Sequence, residues 1–195
     1  NPDIIMYGEG WTGGESTLPE SERGMKINAP RTPGIGMFSD DIRDAVKGHV
    51  FYMDELGFVN GAADRGEELK QAVTCAKWAK SPMQSINYLS CHDNYTLWDR
   101  FIISNSHESE EMRIRMNKLA AAILFTAQGI PFFLHGEEFA RTKISEADGA
   151  PVENSYCSPL SVNAIDYDRA EQFSDLKAYY KGLIALRRAH KSFYL

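Results

Sequence analysis

The sequence predicts an α/β protein in which parallel strands are joined by helical crossovers. Short apolar runs alternate along the chain with segments whose apolar residues recur at helical spacing. The runs are continuously apolar rather than alternating, which suits parallel strands covered on both faces. Long polar loops follow the strands, and strand C-termini are where such a fold places its chemistry.

The elements follow in order. Residues 3–9 form the first strand, with Ile4, Ile5, Met6 and Tyr7 contiguous and Gly8 and Gly10 bracketing Glu9. Residues 13–33 are rich in Gly, Pro and Ser and read as a loop. Gly36, Met37 and Phe38 make a weak second strand, followed by a helix over 41–47 that Gly48 ends. A helix over 67–80 carries Leu69, Ala72, Val73 and Ala76 and stops at Ser81-Pro82. Residues 85–91 form a strand running into His92, Asp93 and Asn94. The longest helix spans 108–128, with a stripe of Met112, Met116, Leu119, Ile123 and Ala127. Residues 130–135 form the last strand, and 136–172 are irregular. Ser174 then caps a final helix bearing Leu176, Tyr179, Tyr180, Leu183 and Leu186.

The chain has 195 residues and a net charge of −6, from 21 Lys plus Arg against 27 Asp plus Glu. An acidic balance argues against a nucleic-acid partner, whose phosphates need clustered Lys and Arg. The longest apolar run, 119–125, is far short of the roughly 20 residues of a bilayer span, so no membrane partner is expected. Cys75, Cys91 and Cys157 show no metal or disulfide spacing and read as free, mostly buried thiols. No internal repeat or linker divides residues 1–195. The chain enters its first strand almost directly from Asn1, which predicts a piece of a longer protein and leaves the compartment open.

Three strand ends carry reactive groups: Glu9, then His92 with Asp93, then His135, Glu137 and Glu138. Parallel strands bring their C-terminal ends to one side, so Glu9, His92 and Asp93 are expected to share a pocket. A Glu between glycines and beside Trp11 leaves room for a ligand and suits general acid work. Asp93 beside His92 can grip vicinal hydroxyls, one accepting and the other donating. Taken singly, each has a plainer reading. Glu9 can be a capping or ion-pairing acid, Asp93 can cap a helix starting near Tyr95, and Trp11, Tyr95 and Trp98 can be ordinary core. Glu137-Glu138 reads more simply as surface or structural charge than as a catalytic dyad.

Jointly the motifs are far more specific. Tyr7-Gly8-Glu9-Gly10-Trp11, Asn87 through Asp99 with its His92-Asp93-Asn94, and Gly129 through Phe139 occur in that order. This pattern resembles the α-amylase superfamily of glycoside hydrolases, and most closely its type I pullulanase branch. The similarity extends to Asp41, Arg43, Asp44 and Gly48, and to the stretch from Asn154 through Tyr167. It implies a (β/α)8 barrel of which this chain supplies about strands five to eight. It further implies Glu9 as general acid/base, Asp93 as transition-state stabiliser with His92 and Asn94 beside it, and Trp11 as a stacking aromatic. Asn154, Tyr156, Asn163 and Tyr167 fall where that branch has a loop near the substrate.

The family's nucleophile is an Asp with an Arg two residues before it, and no Arg-x-Asp follows a strand in this chain. The resemblance therefore implies a fragment that is inactive alone, from a parent acting on α-1,6 linkages in pullulan and branched α-glucans. An isoamylase-like or α-1,4-acting amylase and a non-catalytic α-glucan-binding relative are the alternatives. No organic cofactor is implied. Some relatives hold calcium, but Asp40-Asp41 and Glu137-Glu138 read as helix-start and surface charge, so no metal ligand is assigned. A half barrel would leave strand edges unpaired, which favours self-association.

Overall fold

β1 (Met6–Gly8), β2 (Ile35–Ser39), β3 (Ser85–Asn87) and β4 (Ile130–Pro131) form one sheet in the order β1-β2-β3-β4, every neighbouring pair parallel. This is a computed structural model, which describes residues 4–194. Asp3, the expected start of the first strand, and Asn1 lie outside the described residues. The register sets Tyr7 opposite Gly36, Phe38 opposite Ile86, and Asn87 opposite Pro131. Parallel strands in chain order with intervening helices are the α/β arrangement that the alternating pattern predicts.

The strands are shorter than their apolar runs. β4 ends at Pro131, which has no N–H to donate, and the Phe132 N–H makes one further bond to the Asn87 carbonyl at 2.7 Å. β3 stops at Asn87 rather than 91 because its partner leaves the ladder there. β3 is wholly buried, as a central parallel strand should be. β1 is not. Ile4, Ile5, Met6 and Tyr7 are between 51% and 64% exposed, against the expectation of burial on both faces. The strand lies at the sheet edge, paired only with β2, and the described residues do not cover its outer side.

α1 (Asp40–Lys47) begins with two acids, ends on Lys47 and buries Ile42, Ala45 and Val46. Gly48 terminates it at φ 89°, where a Cβ would fall 1.9 Å from the Glu55 carbonyl oxygen. α2 is only Gly66–Ala72, not 67–80. The Val73 carbonyl is taken by the Gln128 N–H at 2.8 Å, and the Thr74 hydroxyl folds back onto the Gln71 carbonyl at 2.8 Å, so the helix cannot propagate. α3 (Leu97–Ser104) is capped by Thr96, whose Oγ1 accepts from the Asp99 N–H at 3.0 Å; Asp93 is not the cap.

α4 (Glu110–Thr126) is capped by Ser109. Its buried face is Met116, Asn117, Ala120, Ala121, Leu124 and Phe125, while Met112 and Leu119 of the expected stripe are exposed. The face is rotated because small residues and Asn117 meet α7 (Ser174–Ala189). Asn117 Oδ1 accepts from the Tyr180 hydroxyl at 2.8 Å. In α7, Leu176 and Tyr180 are buried but Tyr179 and Leu186 are exposed, and Phe173 rather than Ser174 holds the cap position. Two short helices, α5 (Leu160–Asn163) and α6 (Asp168–Gln172), lie within the segment expected to be irregular.

The core runs between the sheet and α1, α3, α4 and α7, and centres on Ile42, Val46, Leu89, Leu97, Phe101, Leu124 and Leu176. Two buried arginines tie loops to it through main-chain carbonyls. Arg187 donates to Phe125 and Ala127 from Nη1 and to Gly129 and Phe193 from Nη2. Arg100 donates to His49, Tyr52 and Glu55, fixing the loop after Gly48. None of the three cysteines is fully buried: Cys75 and Cys91 are half-buried and Cys157 is open to solvent, all as free thiols. Among the described residues, no helix is long and apolar enough to cross a membrane.

Candidate active site

Glu9 emerges just after β1, and His92 with Asp93 just after the segment that continues β3. The parallel register brings both ends to one side of the sheet. There, one carboxylate oxygen each from Glu9 and Asp93 and one imidazole nitrogen of His92 all lie within 4.8 Å of one another. His92 Nε2 stands 3.5 Å from Asp93 Oδ1. The three groups sit in a cleft of about 300 Å³ whose walls include Trp11, Arg43, Phe51 and Asn94.

Phe38 and Tyr88 line this cleft and belong to an aromatic row with one ring from each strand or its continuation. Phe38 lies at the centre, edge-on to Tyr7 at 5.7 Å, Tyr88 at 5.0 Å and Phe132 at 5.2 Å. Gly10 is needed for packing rather than for ligand access: a Cβ there would lie 2.7 Å from Lys26 Cγ and Met37 Sδ. At Gly8 a Cβ would meet nothing within 4 Å, so this side of Glu9 is open.

Two cations to which the sequence assigned no site role lie at the cleft: Arg43 on its wall and Lys26 behind Trp11 and Asp40. Lys26, from the long loop, pairs with Asp40 at 2.6 Å and lies 4.8 Å from the Trp11 ring centroid, which steadies the indole. Arg43 donates to Asp44 from Nε (2.7 Å) and Nη2 (3.1 Å) and to the Tyr88 hydroxyl from Nη1 (2.6 Å). Burial opposes its charge, but the Asp44 hydrogen bonds and carboxylate outweigh that and hold the guanidinium above its usual pKa. It is a permanent positive charge on the cleft wall. Burial also pushes the Tyr88 phenol up, so it stays a neutral acceptor for Arg43.

The other expected site residues are placed differently. Asn94 lines the cleft, and its N–H donates to Asn154 Oδ1 at 2.8 Å, so Asn154 acts on the strand-end turn and is not itself a lining residue. Asn163 spends its amide internally. It donates to the Ser155 and Ser158 carbonyls at 2.7 and 3.2 Å and accepts from Ser155 Oγ at 2.8 Å. Tyr156 and Tyr167 are exposed and outside the cleft, and Tyr167 packs near His135 and Phe139. No single-chain signal distinguishes a loop asparagine that braces a turn from one that faces a sugar.

The sequence assigns no metal ligand, yet Glu9, His92 and Asp93 are close enough to share one cation. Among the described residues they are the group of His, Cys, Asp and Glu side chains with that geometry. The same three groups also suit proton transfer and hydroxyl binding without any ion.

Glu137 departs from the surface-charge reading. It is almost wholly buried because Gly136, at φ 95°, turns the chain inward at the end of the last strand segment. Its carboxyl group is hydrogen-bonded to the Ser90 hydroxyl and lies 3.4 Å from the Tyr180 hydroxyl. Burial raises its pKa from 4.5 to about 7, even though Ser90 and the charge of Lys47 pull the other way. Lys47, also buried, is lowered from 10.5 to about 8, first by burial and then by the charge of Arg43. These groups lie beneath the strand ends, and neither Glu137 nor Lys47 is among the cleft-lining residues.

This α/β chain, with a carboxylate–imidazole–carboxylate cluster at the C-terminal ends of its parallel strands, is similar to glycoside hydrolases. Within that class the chain is pullulanase-like, of the type I branch, along its entire length. It is 40% identical over 201 residues to the pullulanase of Bacillus subtilis (strain 168), a match that covers 100% of this chain and 27% of the relative. A crystal structure of pullulanase from Paenibacillus barengoltzii, complexed with maltohexaose and α-cyclodextrin, superposes with a TM-score of 0.90 at 44% identity. A pullulanase from Anoxybacillus sp. LM18-11 complexed with maltotetraose gives a TM-score of 0.93 at 41% identity. Both cover 100% of this chain and 30% and 28% of those chains, so the chain spans under a third of the relatives it matches. No family model matches the chain.

Proposed function

We propose that the complete protein containing this chain is a retaining glycoside hydrolase that cleaves α-1,6 linkages in pullulan and branched α-glucans. In this reading, residues 1–195 are one partial catalytic domain without an internal boundary, and β1–β4 stand for the fifth to eighth strands of a (β/α)8 barrel. The observation that carries it is the meeting of Glu9, His92 and Asp93 in one cleft beside Trp11. Pullulanase relatives seen with maltooligosaccharides support an α-glucan as the ligand.

Glu9 protonates the departing glycosidic oxygen and then, as a carboxylate, takes a proton from the incoming water. Asp93 faces the positive charge that develops on the sugar ring and, with His92, holds ring hydroxyls. Trp11 offers a flat apolar face for stacking, and Asn94 contributes a polar group to the wall. The attacking carboxylate comes from a residue outside this chain, so the 195-residue piece alone is inactive.

The test is the full-length protein on pullulan, with the anomer of the first product read by NMR. Maltotriose released as the α-anomer, and no turnover by the isolated chain, is the expected result. An inert full-length protein, or a β-anomer product, would overturn the reading. Turnover of pullulan by the isolated chain would place the nucleophile inside it and move Asp93, which lies within 4.8 Å of Glu9, to that role. Faster cleavage of linear maltooligosaccharides than of pullulan would favour an α-1,4-acting relative, and binding without turnover a non-catalytic one.

The isolated chain also has the means to self-associate, through the exposed apolar strand β1 and its free edge. Sedimentation of the isolated chain should show a mass that rises with concentration. A constant monomer mass would count against it.

A further inference from the structure

Two non-glycine residues with left-handed backbones meet beside the candidate acid and stabiliser. Asn94 has φ 58° and Asn154 φ 46°. Such a conformation is disfavoured for residues with a Cβ, and asparagine tolerates it best when its side chain bonds to nearby backbone. Asn94 lacks that local help, since its Oδ1 is buried without a donor. What its backbone has instead is a bond from sixty positions away, the 2.8 Å contact from the Asn94 N–H to Asn154 Oδ1.

Asn154 is itself held. It opens the 3-10 turn Ser155–Cys157, and Asn163 grips that turn through the Ser155 and Ser158 carbonyls while accepting from the Ser155 hydroxyl. Ser155 is fully buried, so the turn has a fixed anchor. A continuous path of bonds therefore runs from Asn163 through the turn to Asn154, then to Asn94 and its neighbour Asp93.

We infer that Asn154 is a positioning residue: its side-chain carbonyl latches Asn94 in the left-handed turn and thereby aims Asp93 at the cleft. This rests on the glycoside hydrolase reading for its catalytic consequence, but the latch itself does not. Neither Asn154 nor Asn163 lines the cleft, so their effect passes through Asn94. Displacing a charged group by even ~1 Å from its reacting partner can cost on the order of 100-fold in rate.

The experiment compares Asn154→Gly with Asn154→Asp in the full-length protein. Glycine keeps the left-handed backbone and removes the acceptor; aspartate keeps an acceptor oxygen. Two readouts are taken: kinetics on pullulan, and hydrogen exchange of the peptide covering residues 92–96. Asn154→Gly should lower kcat by about 10–100-fold with little change in KM, and its 92–96 peptide should lose protection. Asn154→Asp should restore both towards wild type. Unchanged exchange in Asn154→Gly, or equal defects in the two variants, would overturn the latch. Lost protection in Asn154→Gly, reversed in Asn154→Asp, alongside a wild type inert on pullulan would support the latch and overturn the hydrolase reading.

Discussion

Replacing Glu9 with Gln in the full-length protein is expected to lower kcat on pullulan by about 10²–10⁴-fold, the range over which a positioned general acid/base acts. The glutamine side chain would fill the same space and still accept a hydrogen bond, but it has no acidic proton to give the glycosidic oxygen. KM should change little, because Trp11, His92 and Asp93 still line the cleft. The fold should tolerate the change: Glu9 is exposed, and its neighbour Gly8 faces open space. A substrate whose leaving group needs no protonation, such as a maltotriosyl fluoride, should lose far less in the bond-breaking step. Equal losses on pullulan and on the fluoride would remove Glu9 from the acid role. An unaltered kcat on pullulan would remove it from the reaction.

Stability should fall as pH rises from 4.5 towards 7, and Glu137→Gln should abolish that part of the profile. Glu137 has a folded pKa near 7 against 4.5 for the free group, chiefly because it is buried. Between those values the folded state holds a proton that the unfolded chain has released, so raising the pH favours unfolding. The contribution is fully present below pH 4.5 and lost once pH passes about 7. Each pKa unit is worth about 1.4 kcal/mol, so the loss by pH 8 is on the order of 3 kcal/mol. Lys47 acts in the opposite window. Its folded pKa of about 8 lies below the usual 10.5, so its burial disfavours folding below pH 8 and ceases to do so as pH rises to 10.5.

The wild type should therefore be least stable between about pH 7 and 8, the interval between the two folded pKa values. Glu137→Gln, which cannot ionise but still offers an oxygen to Ser90, should be the more stable protein there. Thermal midpoints of both proteins at pH 5, 7 and 8 check this. Parallel profiles for the two proteins would show that Glu137 does not titrate in this window.

What is legible in the sequence is what lies close together along it. Gly8-Glu9-Gly10-Trp11 and His92-Asp93-Asn94 are short words. The apolar runs before them identify strands, and parallel strands put their ends together. The α/β alternation, the glycine that stops α1, and the convergence of Glu9, His92 and Asp93 all follow from local pattern plus one rule of topology. Helix phase is less legible. In α4 the apolar stripe that spacing selects includes exposed Met112 and Leu119, while the true inner face includes Asn117, polar but satisfied by Tyr180. α2 is shorter than its apolar pattern because the carbonyl of Val73 is claimed by Gln128, a residue far along the chain.

Tertiary structure alone decided the partnerships across distance. Lys26 reaches Trp11, Arg43 joins Tyr88, Ser90 meets Glu137, and Asn154 holds Asn94. It also decided burial where type misleads: a glutamate is enclosed at 137. The physical reason is the same for both. A residue's periodicity and chemistry are properties of its own segment, so one sequence displays them. Which other segment arrives to desolvate it, neutralise it or hold its backbone depends on packing, and that appears only when the chain is folded.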